Sequence, residues 1–174
     1  MNYPKPKIFY HQDPKNLQCT LYALNNVLQK EEAEYVTCKE FQQIVKKLQN
    51  IFTFIMSNNA LKSEKTPDKC GCHQDSWSLS VPLKYLKENN INYEEFNKNS
   101  VPKNEEFREL FKKGHYYVFV KLNKYKHSNH ALCIINGWLL DSLQDGPEKI
   151  IDNNMFIERY SLQEYWKLNI GTKI

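Results

Sequence analysis

Apolar residues recur at three- and four-residue steps from Leu17 through Leu21 and Leu24 to Leu28, the signature of one helix face, and predict a helix over residues 17–30. Asp13, Pro14 and Asn16 make a turn-prone lead into it. A second stripe, Phe41, Ile44, Val45, Leu48, Phe52 and Ile55, predicts a helix over residues 37–55, with Thr37 as N-cap and Glu40 three residues on to close a capping box. Leu79, Leu83 and Leu86 predict a third over residues 78–89, where Pro82 falls early enough for the first turn to accept it. Between the second and third helices, residues 56–76 turn polar ("SNNALKSEKTPDKCGCHQDS" from Ser57), a surface loop or lid by composition.

Beyond residue 90 the period changes. "INYEEF" is a short strand candidate, and "EEFRELFKKG" reads as a short helix closed by Gly114. "HYYVFVKL", "HALCIIN" and "WLLDSL" are apolar, β-branched or aromatic runs separated by "NKYKHSN" and "NG". Asn136-Gly137 between two such runs is the strongest hairpin signal in the chain. Helices in the first half and a small antiparallel sheet in the second predict an α+β fold rather than alternating α/β.

No repeat or Gly/Ser-rich linker interrupts this pattern, and 174 residues suit one domain spanning residues 1–174. A hydrophobic fraction of 41%, a charged fraction of 25% and a mean hydropathy of -0.70 describe a globular, water-soluble chain. The net charge of +4 is dispersed among acids, as in "KSEKTPDK", and no basic helix or RNA-binding signature accompanies it, so a nucleic-acid partner is not expected. No window approaches a membrane span, and "MNYPKPKIFYHQD" lacks the apolar core of a signal peptide. The expected location is cytosolic or nuclear, with no membrane partner. Five cysteines, odd in number and irregularly spaced, suit reduced thiols better than a disulfide framework.

A reducing compartment makes the cysteines candidates for chemistry. Cys19 stands at the start of the first predicted helix, where the helix dipole favours a thiolate. On position alone it reads first as a small buried hydrophobe. The second half of the chain changes that balance. His130 opens "HALCIIN", and Asp141 ends "WLL" just across the Asn136-Gly137 turn, so a hairpin brings imidazole and carboxylate together at its open end. The acid would orient the ring, leaving the other nitrogen for a thiol. His11, His115 and His127 have no acid spaced to orient them and read as surface or packing residues. "CGCH", Cys70 to His73, has the donor types of a zinc site, but a second ligand pair with matching spacing is missing, so neither metal nor cofactor is expected.

The order Cys, His, Asp is that of papain-like hydrolases. "YHQDPKNLQCTLYALNNVLQ" resembles the opening motif of Josephin domains, the cysteine-protease fold of the ataxin and Josephin deubiquitinases, with Cys19, Ala23, Leu24, Asn25, Asn26 and Gln29 in its places. "NHALCIINGWLLDSLQDGPEKI" is similar to the family's second block, matched by His130, Trp138, Asp141, Ser142, Leu143, Gly146, Pro147 and Glu148. A weaker echo is "DSWSLSVPLKYLKENNINYEEFN", and the correspondence covers roughly residues 8 to 165, with residues 31 to 74 matching only as a helical insertion.

The resemblance implies a papain-like Josephin fold in which Cys19 is the nucleophile, His130 the general base and Asp141 the orienting acid. It implies hydrolysis of an isopeptide or peptide bond after the C-terminal glycine of ubiquitin, with ubiquitin or polyubiquitin as partner and a monomeric enzyme. Two positions depart from the family. Where it has a Gln that donates to the oxyanion, five residues before the nucleophile, this chain has Pro14, and Gln12 in the preceding loop is the expected substitute rather than Gln18. Where it has a large aromatic after the histidine, this chain has Ala131. The alternatives are a Josephin-like module that binds ubiquitin without turning it over, and a papain-like peptidase for another glycine-terminated protein.

Overall fold

The computed structural model of the chain describes residues 2–13, 18–51, 62–64, 76–77, 79–101, 106–124 and 128–170. The first apolar stripe folds as α1, Cys19–Leu28, and ends where Gln29 takes a left-handed φ of 52°. The second folds as α2, Cys38–Ile51. Its start has the predicted capping box: the Glu40 N–H donates to Thr37 Oγ1 at 3.2 Å, and the Thr37 N–H donates to Glu40 Oε1 at 3.3 Å. Phe52 and Ile55 lie outside the described residues.

Most of the predicted 56–76 loop, Cys70 to His73 included, also lies outside them. The described parts correct that expectation, because β1, Lys62–Glu64, pairs antiparallel with β2, Ser76–Trp77. Two or three residues are too few to show an alternation in sequence. The third helix is α3, Ser80–Glu88, with Pro82 in its first turn.

Six strands then form one antiparallel sheet: β3 (Tyr93–Asn97), β4 (His115–Leu122), β5 (Ser128–Ile135), β6 (Trp138–Leu140), β7 (Glu148–Lys149) and β8 (Tyr160–Leu168). Their order is β3-β8-β4-β5-β6-β7. Among the described residues there are also two short α-helices, α4 (Phe107–Leu110) and α5 (Asn153–Ile157), and a 3-10 turn at Lys98–Ser100. The protein is therefore α+β, helices followed by an antiparallel sheet, as the change of period predicts. Asn136 and Gly137 turn the β5–β6 hairpin with φ of 48° and 82°, the doubly positive pair a tight hairpin requires.

The sheet is buried on both faces. Leu21, Leu24 and Val27 of α1, Phe41 and Ile44 of α2, and Val81 and Leu86 of α3 cover one face, over Tyr117, Cys133 and Trp166. Phe111 and Phe156 cover the other, over Tyr116, Val118, Leu132, Ile134 and Tyr165. Successive β5 residues supply the two cores in turn, which explains why "ALCII" is an unbroken apolar run rather than an alternating one.

Strand β8 lies between β3 and β4, yet its sequence announces no strand. Phe119 pairs with Glu164 and Val120 with Leu162, so Gln163 is an extra residue opposite β4. The bulge moves the second-core face from even positions, Tyr160 and Leu162, to odd, Tyr165. A period-2 pattern is lost at that step. No helix among the described residues is long and apolar enough to cross a membrane.

Candidate active site

Cys19 is the first residue of α1 and is half-buried. The first-turn N–H groups of a helix lack intrahelical acceptors and carry its positive end, so the sulfur sits beside donors suited to an anion. The Gln18 side chain does not cap the helix, and its Nε2 donates to Cys38 Sγ at 3.3 Å. Below the first turn, the buried Tyr117 hydroxyl donates to the Thr20 carbonyl at 2.9 Å, tying α1 to β4.

Three amide side chains on α1 each hold a stretch of backbone by both of its polar groups. Asn25 accepts from the Val36 N–H at 2.7 Å and donates to the Val36 carbonyl at 2.9 Å. Asn26 does the same with Tyr10, at 2.7 and 3.2 Å, and Gln29 with Ile8, at 3.3 and 2.9 Å. These are the motif residues Asn25, Asn26 and Gln29. Their work is structural: Asn26 and Gln29 clip the segment before Cys19 alongside its helix as a strand partner would, and Asn25 holds the stretch that leads into α2. Asn26→Ala removes two hydrogen bonds from a fully buried position, and is expected to cost about 2 kcal/mol of stability in denaturant unfolding.

The clipped segment leads to His11 and Gln12, which are stitched to the chain after Asp141. His11 Nδ1 meets the Gln144 carbonyl at 2.9 Å. The Gln12 N–H donates to the Ser142 carbonyl at 2.7 Å, and Ser142 Oγ donates to Gln12 Oε1 at 2.7 Å. Gln12 is thereby buried and held through the neighbour of Asp141, with its carbonyl end identified by Ser142 and its amide end the donor. Pro14 lies outside the described residues.

His130 and Asp141 are 3% and 2% exposed, with His130 Nε2 2.7 Å from Asp141 Oδ1. They do not face each other directly. The β5–β6 ladder runs Ile135↔Trp138 to Cys133↔Leu140, and one further step would set Asp141 across from Leu132. The pair is a same-face diagonal, a separation that a long imidazole spans. Asp141 Oδ1 also accepts from the Leu143 N–H at 3.0 Å, and its Oδ2 accepts from the Tyr160 hydroxyl.

The Cys19 side chain lies close enough to the His130 ring to bear on its ionisation. Since Nε2 is on Asp141, Nδ1 is the nitrogen left to serve the sulfur. Sulfur, imidazole and carboxylate are thus gathered in one place, from α1, β5 and the end of β6.

Neither protein-family models nor curated proteins give a match to this chain. The chemistry of the site therefore rests on its own geometry. Burial disfavours a charged His130, but the hydrogen bond to Asp141 and the nearby Cys19 side chain outweigh that and raise its pKa to about 10. Burial likewise pushes Asp141 up, while the hydrogen bonds from His130, Tyr160 and the Leu143 N–H prevail and hold it below the usual carboxylate range. At neutral pH the pair is imidazolium and carboxylate, with the imidazolium beside the sulfur, the setting in which a cysteine attacks as thiolate.

The sign of the pH dependence follows. His130 is raised on folding, so its contribution to stability is full below about 6.5 and is lost as pH rises through about 10. Asp141 is lowered on folding, so its contribution is present above about 3.9 and is lost as pH falls through its depressed pKa. Calorimetric midpoints of the wild type should decline from pH 7 toward 10, and in His130→Gln that decline should be shallower.

Of the residues expected from sequence, Cys19, His130 and Asp141 come together, and Gln12 is fixed beside Asp141 through Ser142. His115 packs with Nδ1 at 2.9 Å from the Val27 carbonyl, and His127 lies outside the described residues. Among the described residues, no cluster of three or more His, Cys, Asp or Glu side chains is placed to hold a metal. Tyr160 is the site residue that sequence reasoning missed. Its strand was not predicted, and no spacing rule links it to Asp141.

Proposed function

We propose that the protein is a papain-like cysteine hydrolase of the Josephin type, cleaving isopeptide or peptide bonds after the C-terminal glycine of ubiquitin. The observation that carries the reading is His130 hydrogen-bonded through Nε2 to buried Asp141, with its ring beside the Cys19 side chain. The ubiquitin part rests on the two sequence blocks around Cys19 and His130.

In this reading the proton of the Cys19–His130 pair resides on His130, and the Cys19 sulfur attacks the glycine carbonyl carbon. The tetrahedral oxyanion forms beside the first-turn N–H groups of α1, with the Gln12 amide as the side-chain donor. His130 then protonates the leaving amine, and a thioester remains on Cys19. Water, deprotonated by the now neutral His130, attacks the thioester, the acid leaves, and the Cys19–His130 pair is restored with its proton on His130. Asp141 keeps the ring oriented throughout.

Pro14 in the place of a family donor favours a second reading, a module that binds ubiquitin without turnover. Titration with ubiquitin beside a chain-cleavage assay separates the two. The hydrolase releases ubiquitin from chains, whereas binding with no cleavage by wild type or by Cys19→Ala supports the module. Cleavage of short glycine-terminated peptides in preference to ubiquitin would point to a peptidase for another target.

A further inference from the structure

Asp141 is held from two sides. One oxygen accepts from His130 and the Leu143 N–H, and the other accepts from the Tyr160 hydroxyl. Tyr160 is buried at the start of β8, its ring 5.1 Å from that of Phe156. The charge of Arg159, the preceding residue, bears on the same phenol. Arg159 forks onto Glu148 of β7, at 3.0 Å from Nη1 to Oε1 and 2.8 Å from Nη2 to Oε2. This bidentate pair fixes the guanidinium. A hydrogen-bonded line thus runs from Tyr160 through Asp141 to His130, with the Arg159–Glu148 pair beside its start.

We infer that Tyr160 is a positioning residue of the catalytic site: it holds the Asp141 carboxylate as the acceptor for His130 Nε2. The inference rests on the catalytic reading of Cys19, His130 and Asp141. Burial and the negative charge of Asp141 push the phenol up, so at neutral pH it remains a donor. Other groups bear on the carboxylate too: His130 and Cys133 from β5, with Cys19 of α1 reached through His130. Of these only His130 donates to it. Without Tyr160 one carboxylate oxygen loses its donor in a buried site, so protonation of Asp141 becomes easier and the imidazolium loses its partner at a higher pH.

The test is the pH dependence of iodoacetamide alkylation at Cys19, read by mass spectrometry on the Cys19 peptide, together with kcat and KM for ubiquitin-chain cleavage. In Tyr160→Phe the acid limb of the alkylation profile should move up by about one pH unit. At the same time kcat should fall roughly tenfold with KM unchanged. Difluorotyrosine at position 160 keeps the shape and is a stronger donor, so its limb should move down, which keeps the test decisive if the Phe variant does not fold. Profiles that superimpose on wild type overturn the inference, and so does a KM change without a kcat change. A wild-type Cys19 that alkylates only as an ordinary thiol overturns the triad itself, a separate failure.

Discussion

Replacing Cys19 by Ala should abolish turnover, by at least about 10⁴-fold, because no other group at the site can carry the acyl intermediate. The change removes one half-buried sulfur from the first turn of α1 and none of the clips made by Asn25, Asn26 and Gln29. The helix and the path of residues 8–12 should persist. Ubiquitin affinity should therefore stay within about threefold of wild type, less than 1 kcal/mol. Gel-based chain cleavage and a ubiquitin titration on the same preparation check both halves. Residual cleavage that a second thiol inhibitor still blocks would move the nucleophile to another cysteine.

The second large effect is at Asp141. Its two oxygens receive three donors, His130 Nε2, the Leu143 N–H and the Tyr160 hydroxyl, and the side chain is buried. Asp141→Ala leaves all three without acceptors and takes the counter-charge from a buried imidazolium. Activity should fall by about 10²- to 10⁴-fold, with about 3 kcal/mol of stability lost. Asp141→Asn separates orientation from charge. Its single carbonyl can still accept from His130 Nε2, so it should recover activity at least about tenfold over the Ala variant, while the Tyr160 hydroxyl then faces an NH₂ group. Equal activity of Ala and Asn variants would argue that Asp141 does not orient the ring. Kinetics at saturating substrate and unfolding curves at pH 7 supply the numbers.

Much of this architecture was legible in the sequence because the signals were local. The stripes through Leu21–Leu28 and Phe41–Leu48 repeat at helical steps, Thr37 and Glu40 sit three apart, and Asn136-Gly137 demands a hairpin. His130 and Asp141 could be paired from that turn alone, although the register makes them a diagonal rather than facing residues. What remained hidden depended on distant parts of the chain. β8 is disguised by the bulge at Gln163, which moves its second-core face by one position. Tyr160 inherits that concealment, and its contact with Asp141 exists only because β8 inserts between β3 and β4. Asn25, Asn26 and Gln29 were visible as a motif, but their task was not, since the backbone they hold lies 11 to 21 residues away. Gln12 was singled out for its amide. Its anchoring by Ser142, 130 residues on, emerges only in three dimensions.

The central claim is that Cys19 is a nucleophile aimed at the C-terminal carbonyl of ubiquitin. Ubiquitin carrying a C-terminal electrophile should form a covalent adduct with the wild-type protein at neutral pH, and mass spectrometry should map the bond to Cys19, with no adduct in Cys19→Ala. A folded protein that stays unlabelled while iodoacetamide still modifies Cys19 would contradict it.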